Sequence, residues 1–141
     1  MGGPRVFYRQ VNCHHNFSYK DAESCLESVV LTFGGRCLAR SYRRRGTEID
    51  LIWQKKSLVV FLEVKLRKKA PDRDCDWQEL FPLKKKKALQ RGAVQFLHEN
   101  GDVSAGCEAY RFDLAVVSYP FYCQISRCYK VFGFYWEDVI S

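Results

Sequence analysis

The chain has 141 residues, 47% hydrophobic and 15% aromatic, which is enough to bury a core and too apolar for a disordered segment. Its formal charge is +7, and where the cations cluster that favours a polyanionic partner. No apolar run reaches the roughly 20 residues of a spanning helix, and Met1-Gly2-Gly3-Pro4-Arg5 lacks the apolar core of a signal peptide, so we expect a cytoplasmic protein with no membrane part.

We expect a single domain over 1–141, with residues 1–17 as an N-terminal extension, 18–117 as the core and 118–141 as a C-terminal extension. Seven cysteines (13, 25, 37, 75, 107, 123 and 128) make an odd count without any Cys-x-x-Cys, so free, mostly buried thiols are expected in a reducing compartment. Cys13-His14-His15 and the pair Cys123 and Cys128 are the groupings that could suggest zinc, but their spacing does not match common structural sites.

From Tyr19 to Phe33 the apolar positions Ala22, Leu26, Val29, Val30 and Phe33 fall at helical spacing. Ser18 is available as N-cap and Gly34-Gly35 as the stop, which predicts a first helix. Glu23 and Glu27 border its apolar stripe one turn apart. Such residues are usually solvent-facing charges, although one on the core side could overhang a neighbouring site. Arg36 to Tyr42 reads as the first strand.

Glu48 to Gln54 and Leu58 to Leu66 are short, apolar and rich in β-branched or aromatic residues, two strands joined by a polar turn. With Lys56-Ser57 at the centre of the hairpin, opposed residues have numbers summing to 113, which pairs Asp50 with Glu63 and Glu48 with Lys65. Opposed side chains share a face, with Cβ atoms roughly 4.5–5.5 Å apart. Two carboxylates that close repel unless something cationic sits between them, and a divalent metal is the usual remedy. Lys65 projects from the same face. A one-residue slip would send one carboxylate to the other face. The competing reading is a solvated face of cross-strand ion pairs. Against it, Glu63 interrupts Val59-Val60-Phe61-Leu62 and Val64, a run that looks buried on both faces, where a carboxylate is costly unless paired, protonated or metal-bound.

Ala70 to Trp77, with Pro71, Asp72, Asp74 and Asp76, reads as loop. Leu83 to Glu99 is the second helix, with Leu89, Ala93, Phe96 and Leu97 on its buried face and Asn100-Gly101 ending it. Its first turn is the run Lys84-Lys85-Lys86-Lys87. Lysines there oppose the helix dipole and cost stability unless an anion such as phosphate is bound nearby. Arg111 to Ser118 reads as a buried strand and Tyr129 to Tyr135 as a last, aromatic one. Basic runs at Arg43-Arg44-Arg45, at Lys65 with Arg67-Lys68-Lys69, and at Lys84 to Lys87 beside an acidic pair point to nucleic acid. Any single run could equally be solvated surface.

A helix with a glutamate, a strand with Asp, a next strand with Glu-x-Lys and a following polar helix resemble the PD-(D/E)xK nuclease superfamily. More narrowly, Gly-Thr-Glu-Ile-Asp-Leu-Ile, then Val-Phe-Leu-Glu-Val-Lys-Leu-Arg, a Lys-rich helix and Arg111-Phe112-Asp113 resemble the YraN family of bacterial predicted endonucleases, itself similar to archaeal Holliday-junction resolvases. The resemblance covers about Lys20 to Val117. It implies an α/β fold with a restriction-endonuclease-like core in the order α-β-β-β-α-β, an added C-terminal strand, and a mixed sheet flanked by helices. The family usually has Gly where Thr47 stands, which affects the turn, and the loop after Arg67 departs in its aspartates and basic residues, which bears on substrate preference.

What the resemblance implies chemically is metal-assisted hydrolysis of DNA phosphodiesters, structure-selective or nonspecific, in repair or recombination. It places the helix glutamate at Glu23, the metal-binding aspartate at Asp50, the Glu-x-Lys at Glu63 and Lys65, and the second helix's lysine at Lys85 or its neighbour Lys84. Mg²⁺ or Mn²⁺ would be held by Asp50, Glu63 and the Val64 carbonyl, with Glu23 completing the shell through water. Lys65 would orient the nucleophile. Arg43, Arg44, Arg45, Arg67, Lys68, Lys84, Lys85, Lys86 and Lys87 would grip phosphates, contacts that position DNA without reading sequence. Two other classes stay open: a catalytically silent DNA-binding module, and a structural partner in a recombination complex whose aromatic tail (Phe132, Phe134, Tyr135, Trp136) pairs with another subunit, a homodimer included. For that tail the plainer reading is an edge strand of the core.

Overall fold

The computed structural model describes residues 3–13, 15–68 and 80–140. The loop expected over Ala70–Trp77, with Cys75 and Lys69, lies outside the described residues, as does His14. Six strands, β1 (Arg5–Asn12), β2 (Arg36–Arg44), β3 (Thr47–Lys55), β4 (Leu58–Arg67), β5 (Ala109–Cys123) and β6 (Cys128–Trp136), form one sheet in the order β1-β6-β5-β4-β3-β2. β4 and β5 run parallel and every other neighbour pair antiparallel, so the sheet is mixed, as expected. The helices are α1 (Tyr19–Thr32), α2 (Leu83–Glu99) and a short α3 (Gly101–Ala105). None of the described helices is long and apolar enough to cross a membrane.

α1 begins at Ser18 because the side chain there accepts from the Asp21 amide while Asp21 accepts from the Ser18 amide, a reciprocal capping box. It stops at Phe33 because Gly34 adopts φ 83°, a left-handed conformation that glycine takes at least cost. The Gly35 amide then reaches back to the Val30 carbonyl and the Gly34 amide to the Leu31 carbonyl, the paired bonds of a Schellman ending. Leu26, Val29 and Val30 of α1 bury against Leu51, Trp53, Val60, Leu62 and Val64 on one face of the sheet. On the other face Leu89, Ala93 and Phe96 of α2 bury against Ile52, Phe61, Phe112 and Leu114. The strands between the helices are buried on both sides, which is why β4 reads as a nearly continuous apolar run.

The hairpin register follows the sum of 113, from Leu51 opposite Leu62 to Lys55 opposite Leu58. Thr47 does more than shape a turn: its hydroxyl donates to the Ala88 carbonyl at 2.6 Å and fastens α2 to the start of β3. Two expectations need correction. Residues 5–12, expected within an extension, form a strand in the sheet, because Val6, Tyr8 and Gln10 alternate with Phe7, Arg9 and Val11 and pair along β6. β6 is therefore not an edge strand but is bonded on both sides, so its aromatic residues have no free edge to offer another subunit. Gly133 makes this packing work, since a Cβ there would come within 1.8 Å of the Phe7 ring.

Candidate metal centre and nucleic-acid interface

Asp50 lies where the regular ladders break. The β2–β3 pairing runs from Arg36 to Arg40 and resumes at Tyr42, passing over Ser41 and Asp50, and Ser41 has φ 48°. On its other side, the β3–β4 ladder begins only at Leu51. Across this gap the Asp50 side chain, rather than main chain, accepts the Val64 amide at 2.8 Å. The carboxylate is thus fixed against β4 one residue beyond Glu63.

Three carboxylates are buried around the break: Glu23 at 5% exposure, Asp50 at 5% and Glu63 at 2%. Glu23 arrives from α1 and accepts the Ser41 hydroxyl at 3.2 Å. Glu63 is flanked by two cations, Lys65 3.4 Å from Oε1 and Lys85 3.3 Å from Oε2. Oε2 is buried, and the Lys85 ammonium meets it as an ion pair rather than as a well-formed hydrogen bond. Burial and then repulsion by Asp50 raise the Glu63 carboxyl from an ordinary value near 4.5 to about 7, against the pull of Lys85 and Lys65. Burial likewise raises Asp50, opposed by the Val64 amide and the Tyr19 hydroxyl, and raises Glu23, with Asp50 adding to it. All three departures have one root, anionic groups confined where water cannot solvate them.

Tyr19 is the neighbour that sequence reasoning missed. Its hydroxyl donates to Asp50 Oδ2 at 3.0 Å and also contacts the Val64 carbonyl oxygen. It stands one helical turn before Glu23, and that spacing was the available signal. Burial, Asp50 and Glu63 together push its phenol far above the ordinary tyrosine range, so it is a neutral donor here.

Other expectations sort differently. Glu48 pairs with Arg43 at 3.1 Å rather than with Lys65. Arg44 grips Glu99 through Nε and Nη2 and lies 4.3 Å over the Tyr42 ring, so it is committed to holding β2 against α2. Arg45, Lys84, Lys87 and Lys68 are exposed, and Lys86 is partly buried. Arg67, also exposed, turns Nη1 to the Leu66 carbonyl. α2 starts at Pro82 with no side-chain cap and no acidic residue in its first turn, as its lysine run implied. Asp113 belongs to a separate buried network, accepting from Arg111, from the Tyr135 hydroxyl at 2.6 Å and from the Asp138 amide.

Cys13 and His15, whose spacing had no zinc pattern, meet Asp21: the three ligand atoms lie within 4.8 Å of one another. Asp21 Oδ2 is already engaged by the Ser18 amide at 2.7 Å, the Ser18 hydroxyl and His15 Nε2 at 3.0 Å. Those bonds cap α1 and hold the Asp21 carboxyl below its usual value despite some burial.

An all-oxygen set from Asp50, Glu63 and the Val64 carbonyl suits a hard divalent cation, and Glu63 Oε2, buried and held only by the Lys85 ion pair, is an acceptor that such an ion would satisfy.

Residues 22–117 match the uncharacterised protein family UPF0102. The chain is 34% identical over 101 residues to a UPF0102 protein of Chloroherpeton thalassium, covering 70% of this chain and 72% of that one. A UPF0102 protein of Nitrosomonas europaea is 35% identical over 101 residues, 70% of this chain and 78% of its own. One of Saccharophagus degradans is 43% identical over 56 residues, 40% and 48% of the respective chains.

Proposed function

The chain belongs to the UPF0102 family, the YraN family its motifs resemble, and from the geometry of its carboxylates we propose that it is a Mg²⁺- or Mn²⁺-dependent endonuclease acting on DNA. The observation that carries this reading is the pair Asp50 and Glu63, buried together at a break in the sheet with Lys65 and Lys85 on the second carboxylate. Glu23, Asp50 and Glu63 crowd three buried carboxylates against two lysines, and Glu63 Oε2, ion-paired to Lys85, accepts no aligned hydrogen bond.

Asp50, Glu63 and the Val64 carbonyl would hold the cation, with Glu23 reaching it through water. When bound, such an ion supplies charge stabilisation to a phosphate and a more acidic water. The chain's own groups do the rest. The Val64 amide fixes the Asp50 carboxylate in orientation. Lys85 holds Glu63 toward its ionised form from the α2 side. Lys65, 24% exposed at the side chain, is placed to orient an attacking water and stabilise it as its proton leaves. Lys84, Lys87, Lys68, Arg45 and Arg67 can contact flanking phosphates, which gives affinity without sequence choice. Arg43 and Arg44 contribute less, being engaged with Glu48 and Glu99. Cleavage of this kind, structure-selective or nonspecific, would serve DNA repair or recombination.

The test is a panel of labelled branched, duplex and single-stranded DNAs incubated with Mn²⁺ or Mg²⁺, comparing the native chain with Asp50→Ala and Lys65→Ala. Metal-dependent cleavage lost in both variants supports the reading. Binding without cleavage of any substrate would favour a silent binding module.

A further inference from the structure

Beyond the carboxylates, the α1 side of the sheet carries an aromatic pocket at the end from which β4 leads out of the site. Its volume is about 460 Å³, within the range of roughly 300–1,000 Å³ typical of ligand pockets, and its walls are Phe17, Tyr119, Tyr122 and Tyr129 with Asn16 and Lys68 at the rim. Phe17 stacks on Tyr119 at 5.0 Å between ring centroids, and Tyr122 leans on Tyr129 at 4.8 Å. Two features mark it as more than the edge of the core.

The first is a register shift. β5 and β6 pair in one register up to Ser118–Phe132 and in another from Phe121–Lys130. In a regular strand Tyr119 and Tyr122, three residues apart, would point to opposite faces. The bulge between Ser118 and Phe121 puts both against Tyr129, re-aiming side chains as bulges beside functional sites do. The second is polarity. Tyr122 is 44% exposed, and the rings of Tyr119, Tyr122 and Tyr129 each bring a phenol hydroxyl to the pocket wall. A half-exposed Tyr122 ring, with the Tyr119 and Tyr129 phenols and Lys68 beside it, suits a planar, hydrogen-bonding, anion-linked group.

The position fits the site. Lys68 directly follows the last residue of β4, four positions past Val64, and Phe17 is two residues before Tyr19, whose hydroxyl touches Asp50. We propose that this pocket is a subsite that stacks an unpaired base of the DNA strand flanking the cleaved phosphate, so that the preferred substrate has a single-stranded segment beside the break. Sequence-tolerant stacking on aromatic rings beside basic residues is the chemistry of single-strand binding. The proposal deepens the nuclease reading and rests on it for the DNA's presence, but not for turnover.

The experiment measures binding in EDTA, by fluorescence anisotropy, of a labelled single-stranded DNA oligonucleotide and of the same sequence as a duplex. The native chain is compared with Tyr122→Ala and Tyr122→Phe, each verified as folded by circular dichroism. Tyr122→Ala should weaken single-strand binding about ten-fold, leave duplex binding unchanged, and be rescued by Tyr122→Phe, which keeps the ring. Equal loss on both DNAs, loss on neither, or no single-strand binding by the native chain overturns the proposal. Because no cleavage is involved, a single-strand-selective loss in a chain that never cuts would uphold the subsite while sinking the nuclease reading.

Discussion

The Tyr19 hydroxyl donates to Asp50 Oδ2 at 3.0 Å and also meets the Val64 carbonyl, so one group of the chain stands between two of the atoms that would hold a cation. A metal entering there must displace it. Tyr19→Phe removes the hydroxyl and keeps the ring. Given a net worth of about 1 kcal/mol for such a hydrogen bond, Mn²⁺ should bind about five-fold more tightly to the variant by isothermal titration calorimetry. Weaker binding would make the hydroxyl a supporting donor instead of a competitor.

Glu63 makes stability depend on pH. Its carboxyl rises from near 4.5 to about 7 on folding, so the folded chain holds a proton that the unfolded chain has released. The associated stability is fully present below about pH 4.5 and is lost as pH rises through 7. In EDTA, urea midpoints should therefore fall across this window, and Glu63→Gln should flatten the fall. Mn²⁺ should restore the native chain at the upper end, because only the ionised carboxylate binds it.

Lys85 opposes that protonation from the α2 side. Lys85→Gln should move the midpoint of Mn²⁺ binding against pH to a higher value. An unmoved midpoint would mean that Lys65 alone carries the charge balance.

Gly133 and Phe7 test the added strand. Gly133→Ala puts a methyl inside the Phe7 ring and should cost about 1–3 kcal/mol in urea denaturation. Combined with Phe7→Ala, the methyl meets empty space, so the double variant should be less destabilised than the two single costs added together. Additive costs would place β1 elsewhere.

Much of the hairpin was legible in the sequence because a two-residue turn fixes register: the sum of 113 holds from Leu51–Leu62 to Lys55–Leu58. The ladder ends before Asp50 and Glu63, and the bond from the Val64 amide to the Asp50 carboxylate takes over there. Glu63 within an apolar run, and lysines where a helix dipole prefers anions, were local conflicts of the kind that mark sites. What could not be read was set by long-range packing. The bulge that gathers Tyr119 and Tyr122 leaves no trace in periodicity. β1 shows only an exposed, polar alternation with Phe7 as its one buried residue, and what holds it is the fit of Phe7 over Gly133 across the sheet. The left-handed Ser41 and the side-chain bond from the Val64 amide to Asp50 replace a regular ladder at the point where Asp50 had to be freed from one.

Asp50 is the residue on which a metal-dependent phosphodiesterase site stands or falls. Its most direct test is the single-turnover rate of cleavage of a labelled branched DNA in Mn²⁺, with native and Asp50→Ala chains purified side by side. We expect native cleavage that EDTA abolishes and a loss of at least about a hundred-fold in Asp50→Ala, as for removal of one strong electrostatic group. Cleavage that persists unchanged in Asp50→Ala would contradict a catalytic role for this carboxylate and the metal site built around it.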